Sequence, residues 1–569
     1  LSRLHLLHQP VAFSVSLPST DPDKKPRSPF RGSGFKFTRT SPGVVTWSAQ
    51  LSSSGITGQL SGHMESDGSI RYRVALAADT NPVAVDAIHL DFPRSAASTT
   101  HILGLQQETG TLAPADSLTW HWDVARKHQD SLWLGAVNGG LRVQLKADNY
   151  VRPSVNIHYQ RRPLNNPPSW NAADKGTITL SPEQNGSRTL TGSSGPLTLQ
   201  PNQPLHFDFD LLITPFHTLR TAEQWSDRYY HTGQVPKDVD KYLDAAKAAS
   251  ASVVNIHQGN WLNPYINYPF LTADRLAAFA SAAHNRGMRA KYYYTVRELS
   301  NWCPELFAFR SMDSELLMSG TGGGHPWGEE HLHGNYWQAW FEPGTQDVSF
   351  LTQPMSRFHN YYIEGLRWLC QNAGCDGIYL DDIAYDRSIM LRARKVLDRF
   401  SPRGGLIDLH SWNEFHEGGA WAHCPNIFMD SMPFVDRLWF GEGHHYSGPS
   451  ADHFLVELSG IPFGLMGEML EGGGNPWLGL VFGTTGRLGW GGNPSEVWKL
   501  WDDFSVQNAA FTGWWAAEEC PILSSDPAIK ASVWKKPGAS MVAVANFSSE
   551  SKPASLSINW QALGLDPTK

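Results

Sequence analysis

Around Thr221 the hydrophobic pattern of this chain changes period, and that change demands two kinds of fold in one polypeptide. Up to about Pro215 apolar and polar residues alternate, as in Ile70, Tyr72, Val74 and Leu76, in Leu141, Val143 and Leu145, and in Leu205, Phe207, Phe209 and Leu211. A period of two describes strands with one wet face. Gly, Ser, Pro and Asn clusters separate these runs and no convincing helix interrupts them. Residues 1–215 are therefore expected to form an antiparallel β-sandwich.

From Thr221 onward, helix-period segments alternate with short apolar runs. Segment 238–250 leads to a strand at 253–257, and 272–286, with Thr272 as N-cap and Gly287 just past its end, leads to 290–294. Segment 354–373 carries Phe358, Tyr362, Leu366 and Leu369 on one face and precedes a strand starting at Asp376. Asp386 is placed to cap a helix striped by Ile389, Ala393, Val396, Leu397 and Phe400, which runs to a strand at 406–410. Further strands are expected at 426–429, 437–440, 461–466 and 480–484. The total, about eight, predicts a TIM-like (β/α)8 barrel over residues 216–515. Segment 301–353 is too long for a plain loop and is expected as an insertion over the barrel mouth. Alternation returns beyond Ala516, with Val542 and Val544, then Leu556, Ile558 and Trp560. It predicts a small C-terminal β-domain over 516–569, expected to be cut short at its end.

A chain of 569 residues that is 41% hydrophobic can bury several cores. Its formal charge of -8, with 46 basic residues spread along it, excludes nucleic acid and disfavours anionic surfaces. No apolar stretch approaches bilayer-spanning length, so no membrane partner is expected, and residues 1–17 lack the apolar middle of a signal peptide. The five cysteines are too few and too irregularly spaced for a disulfide framework, and an odd count leaves at least one free.

The strand Gly377-Ile378-Tyr379-Leu380 ends in two adjacent carboxylates, Asp381 and Asp382. Like charges held close push one pKa up, which suits acid–base work at the carboxyl end of a barrel strand; the plainer reading is a backbone or arginine partner for Asp381. The residues after the other expected strands should converge on the same mouth. They are His257 and Trp261; Arg297 and Glu298; His410 and Asn413; Glu442; Glu468 and Glu471; and Trp490. Carboxylates, histidines, an amide and indoles together match the needs of glycoside hydrolysis: a proton donor, a stabiliser of the oxocarbenium ion, and partners for hydroxyls. The candidate catalytic residues are Asp381, Asp382, Glu442 and Glu468.

Arg297 and Arg437 have guanidinium forks that could hold these carboxylates or a charged substrate group. Trp327, Trp439, Trp477 and Trp490 are candidates for stacking on a sugar. His325, His331 and His333, with Glu329 and Glu330 between, fit no zinc-helix spacing and read as hydroxyl-binding or solvated loop residues, so no metal is expected. The Gly322–Gly324 and Gly472–Gly474 runs lack the lysine of a phosphate cradle, and no cofactor is expected.

Through Gly377-Ile378-Tyr379-Leu380-Asp381-Asp382, the loop Asn263-Pro264-Tyr265-Ile266-Asn267-Tyr268-Pro269, and Gly467-Glu468-Met469-Leu470-Glu471-Gly472-Gly473-Gly474-Asn475-Pro476-Trp477, nearly the whole chain resembles glycoside hydrolase family 123. The resemblance implies exo-hydrolysis of a β-linked N-acetylgalactosamine in a glycan, with the substrate's own acetamido oxygen as nucleophile. It casts Asp381 as the residue that orients and polarises the acetamido group and Asp382 as the proton donor. The family uses Glu at the second position, so the donor here is one methylene shorter. Two alternatives stay open: a conventional glycosidase with Asp381 as nucleophile or base and Glu442 or Glu468 as acid, and a non-catalytic carbohydrate-binding protein. An extracellular, periplasmic or lysosomal-type compartment is favoured.

Overall fold

The computed structural model of the chain describes residues 4–19, 26–105, 107–113, 116–121, 131–148, 167–295, 297–353, 356–381, 387–412, 416–417, 420–421, 424–442, 444, 450–468, 475–490 and 492–566. Among the described residues the alternating N-terminal segments form two large antiparallel sheets, of six and ten strands, and a two-stranded pair of Val83–Val85 with Leu197–Leu199. Val15, Ile88, Phe92 and Leu190 of the first share one core with Val74, Leu76, Val143 and Phe209 of the second, so the two sheets close as a sandwich.

Seven parallel strands then form one sheet in chain order: β1 (Tyr229–Thr232), β2 (Val253–Ile256), β3 (Arg289–Tyr293), β4 (Gly377–Asp381), β5 (Leu406–Trp412), β6 (Arg437–Glu442) and β7 (Met466–Gly467). Helices Val239–Ala248, Ala273–Asn285, Phe358–Asn372 and Arg387–Phe400 connect or follow the strands up to β5. The eighth position is a single parallel bridge beside β1: Leu488 donates its N–H to the Tyr229 carbonyl at 2.9 Å and accepts from His231 N–H at 2.9 Å. Among the described residues no ladder joins β7 to this segment.

Several expected strands take other forms. Segment 426–429 lies mostly in a helix, Cys424–Phe428; 461–466 is a 3-10 turn, Ile461–Phe463, followed by the short β7; and 480–484 begins as a 3-10 turn, Leu480–Phe482. Phe428, Phe463, Val481 and Phe482 are all fully buried. A short apolar run buried all round has no periodicity to distinguish strand from helical turn. The opposite error hid β1, whose inward residues Tyr229 and His231 gave it no apolar alternation. Gly287 does adopt a left-handed φ of 79° beyond its helix, whereas Thr272 donates to the Leu262 carbonyl at 2.7 Å instead of capping. Asp386 lies outside the described residues.

Segment 301–353 adds helices Leu306–Arg310 and Pro326–Leu332 and, with the preceding Glu298–Ser300, a three-stranded antiparallel sheet in the order Glu298–Ser300, Asp347–Leu351, Gln338–Glu342. Asp347 ties this layer to the barrel loops, accepting from the Ile266 N–H at 2.6 Å and from the Ser300 hydroxyl. The C-terminal part forms a three-stranded sheet, Ala510–Thr512, Ile529–Lys536 and Ala539–Asn546, and a pair, Ile522–Ser524 with Leu556–Ile558. It meets the barrel through Trp534, whose ring lies 6.1 Å from Trp225. The sandwich meets the barrel through Trp133 against Phe463 and through Arg387, which reaches Glu65 at 2.6 Å. All five cysteines are buried thiols. No helix among the described residues is long and apolar enough to cross a membrane.

Candidate active site

Every second residue of these strands points into the barrel, and many of those residues are polar. In the lower layers Lys291 of β3 pairs with Asp408 of β5, which also accepts from the Tyr229 hydroxyl at 3.0 Å, and Arg437 of β6 pairs with Glu468. All of these side chains are buried, so each charge needs its partner to offset the loss of water. Above them Trp439, Tyr379 and His231 pack together, with ring centroids 5.1–5.3 Å apart.

At the carboxyl end of β4 the inward residue is Asp381, and the parallel register sets it directly beside His410 of β5. His410 Nδ1 lies 2.9 Å from Asp381 Oδ1, the Tyr293 hydroxyl donates to Oδ2 at 3.1 Å, and the Arg297 guanidinium stands 3.8 Å from Oδ2. Arg297 is itself held by both oxygens of Glu298, at 2.9 and 3.1 Å. On its far side His410 Nε2 lies 2.6 Å from Glu442 Oε2. A bulge makes this last contact possible. The register runs from His410↔Trp439 to Trp412↔Glu442, two residues on β5 against three on β6. The extra residue reverses the alternation and turns Glu442 to the inward side it would otherwise miss.

The charges follow from the contacts. Burial works against ionisation of Asp381, but the hydrogen bond and charge of His410, with the charge of Arg297, outweigh it and hold the carboxyl well below its usual range. His410 loses stability as a cation through burial, yet Asp381 and Glu442 raise it to about 9. The close contact with His410 lowers Glu442. At neutral pH the row is thus carboxylate, imidazolium, carboxylate, with Nδ1–H donating to Asp381 and Nε2 in a close ion pair with Glu442. Burial raises Glu298 despite Arg297, and burial lowers His257, which sits above as a neutral ring.

The remaining candidates divide by position. His257 packs 4.8 Å from Trp490, which is 43% exposed at the mouth and 6.0 Å from Arg487. Trp477 is also exposed, on the short helix Pro476–Gly479. The mouth position expected of Glu468 and the substrate contacts expected of Trp439 and Arg437 need correction. Trp439 is fully buried inside the barrel, so it has no face for a sugar; Arg437 and Glu468 pair in the interior, below the mouth, because Arg437 begins β6 and Glu468 follows the short strand β7, whose Met466 lies in register with Arg437. Trp261 donates to the Val235 carbonyl at 2.7 Å and carries Lys237 on its ring at 4.0 Å. His325 caps helix Pro326–Leu332, accepting from Trp327 N–H at 3.2 Å, and Trp327 stacks on His331 at 4.2 Å. The contacts of His325 and Trp327 build the insertion. Among the described residues no group of His, Cys, Asp or Glu is placed to hold a metal ion. Asp382, Asn413 and Glu471 lie outside the described residues. Tyr293, His231 and Tyr379 were not foreseen; period-two counting along the Tyr292-Tyr293-Tyr294 run was the available signal for Tyr293.

A parallel barrel carrying a carboxylate cluster at the carboxyl ends of its strands has the architecture of a barrel enzyme. Family models match the chain almost end to end: glycoside hydrolase 123, third domain, over residues 2–215; its TIM-barrel domain over 220–489; and its C-terminal domain over 493–569. The chain belongs to glycoside hydrolase family 123 and is a glycosidase. No curated protein matches it. Among solved structures it is similar to the α-galactosidase AgaB of Geobacillus stearothermophilus, at 10% identity over 98% of this chain and 83% of that one, with a TM-score of 0.47. It is also similar to the AgaA enzyme of the same organism bound to stachyose, at 10% identity over 92% and 80%, TM-score 0.45. The α-galactosidase TtGalA of Thermus thermophilus matches at 14% identity over 71% and 78%, TM-score 0.30.

Proposed function

We propose that this glycosidase removes a terminal β-linked N-acetylhexosamine, N-acetylgalactosamine foremost, from a glycan by a substrate-assisted, retaining mechanism. The observation that carries the reading is Asp381: a carboxylate held ionised by Tyr293, His410 and Arg297 at the end of β4. A group so far from protonation is unsuited to donate a proton and well suited to hold an acetamido N–H and face a developing positive charge. In this reading the acetamido carbonyl oxygen attacks the anomeric carbon as the bond to the leaving oxygen breaks, and Asp382 gives that oxygen its proton. Asp381 keeps the acetamido group in line and balances the oxazolinium ion. Water, deprotonated by Asp382, then opens the ring and the β configuration returns.

The conventional alternative fares less well. It needs Glu442 or Glu468 as acid, yet the close contact with His410 keeps Glu442 ionised and Glu468 is paired with Arg437 inside the barrel. The test is a panel of aryl glycosides, including the N-acetyl-β-galactosaminide, assayed with and without a thiazoline mimic of the bicyclic intermediate. Acetamido substrates should turn over and the mimic should inhibit. Hydrolysis confined to glycosides without an acetamido group, indifferent to the mimic, would falsify the proposal.

A further inference from the structure

We infer that His410 and Glu442 are positioning residues that act through Asp381: a two-step chain of contacts across β4, β5 and β6 that fixes the plane of the Asp381 carboxylate and preserves its negative charge toward the substrate. The inference rests on the catalytic role given to Asp381 above.

Geometry supplies the first part of the argument. A carboxylate at a strand end has a free terminal torsion, and its broad two-fold preference does not choose a plane. Here Asp381 is gripped at both oxygens from different strands, by His410 of β5 at Oδ1 and by Tyr293 of β3 at Oδ2. His410 could swing in turn, since a histidine held at one nitrogen still pivots. Glu442 holds the other nitrogen at 2.6 Å, and Tyr379 stacks on the ring with centroids 5.6 Å apart and planes 20° apart. The bulge in β6 serves this contact directly, because a regular strand would aim Glu442 away from His410. Bulges re-aim single side chains in this way next to active sites.

Charge supplies the second part. Asp381 alone with an imidazolium would form a neutral pair, and a neutral pair offers little to a cationic sugar intermediate. With Glu442 the row carries a net single negative charge while His410 donates to Asp381 and pairs its charge with Glu442. The surrounding cations make this balance matter. Arg297 stands 3.8 Å from Asp381, and Arg487 lies 4.8 Å over Trp439. Glu298 answers Arg297, leaving Glu442 to answer His410.

The experiment is a double-mutant cycle on kcat and KM with an activated aryl N-acetyl-β-galactosaminide, using Glu442→Gln, Asp381→Asn and their combination. Glu442→Gln should lower kcat about 10- to 100-fold, the cost of a misplaced catalytic group, while KM moves less than about threefold. In the Asp381→Asn background the same change should cost almost nothing further, because its route to the substrate is gone. A residue that merely supports the fold would lose activity equally in both backgrounds, and that additive result overturns the inference. So does a wild-type kcat in Glu442→Gln. Thermal melts show whether each variant folds; should Glu442→Gln fail, His410→Gln enters the same cycle with the same expected non-additivity. Full activity of Asp381→Asn would overturn the role of Asp381 itself, whereas an inactive Asp381→Asn with an additive cycle overturns only the positioning chain.

Discussion

Replacing Asp381 by Asn removes one negative charge while keeping the size of the side chain, and the structure sets what that should cost. The carboxylate accepts from His410 and Tyr293 at 2.9 and 3.1 Å, so it has no freedom to retreat as the sugar binds. A cationic centre about 4 Å from that charge, at the effective dielectric of about 20 that suits protein sites, gains about 4 kcal/mol. Converted at 1.36 kcal/mol per decade, the loss is about 10³-fold in kcat/KM. Release of the aglycone from an aryl N-acetyl-β-galactosaminide measures it, with circular dichroism melts on the same sample to establish that the variant is folded. A folded Asp381→Asn enzyme that keeps more than about a tenth of wild-type activity would show that the reasoning about this charge is wrong.

Three further outcomes are expected. Glu468→Gln should strand the buried Arg437 charge and destabilise the fold by about 3–5 kcal/mol, read as a lower urea midpoint; an unchanged midpoint would contradict the interior pairing. Asp347 is raised to about 6, chiefly by burial, so it binds more protons folded than unfolded between about pH 4 and 6 and its contribution to stability falls as pH rises through that window. Melting temperatures of Asp347→Asn should therefore decline less across that window than those of the wild type, and equal slopes would speak against it. Trp490→Ala, which removes an exposed ring beside His257, should raise KM about tenfold with a smaller effect on kcat; loss of kcat alone would mean that the indole is not a sugar platform.

What the sequence made legible follows from where its signals are strong. The sandwich alternation needs only local pattern, and the strand ending at Asp381 announces itself because carboxylates seldom close a buried apolar run. The helix ending at Gly287 was legible for the same reason, a left-handed residue at a fixed place. Other features depend on pairing between distant segments. Strand β1 is four residues long with inward Tyr229 and His231, and its apolar signal is too weak to separate it from a loop. Glu442 was expected at the mouth, but its link to His410 arises from a bulge, which adds one residue without any mark in composition. Glu468 and Trp439 misled because position after or within an expected strand does not say how deep in the barrel a side chain ends. Short β7 and the low start of β6 put Glu468 and Arg437 together beneath the mouth.

The most direct test of the account is the configuration of the first-formed sugar, followed by proton NMR as an aryl N-acetyl-β-galactosaminide is cleaved. A substrate-assisted reaction centred on Asp381 releases the β-anomer first, with the α-anomer growing in only by mutarotation. Initial release of the α-anomer would mean direct attack by water, and would contradict both the mechanism and the role of Asp381 in it.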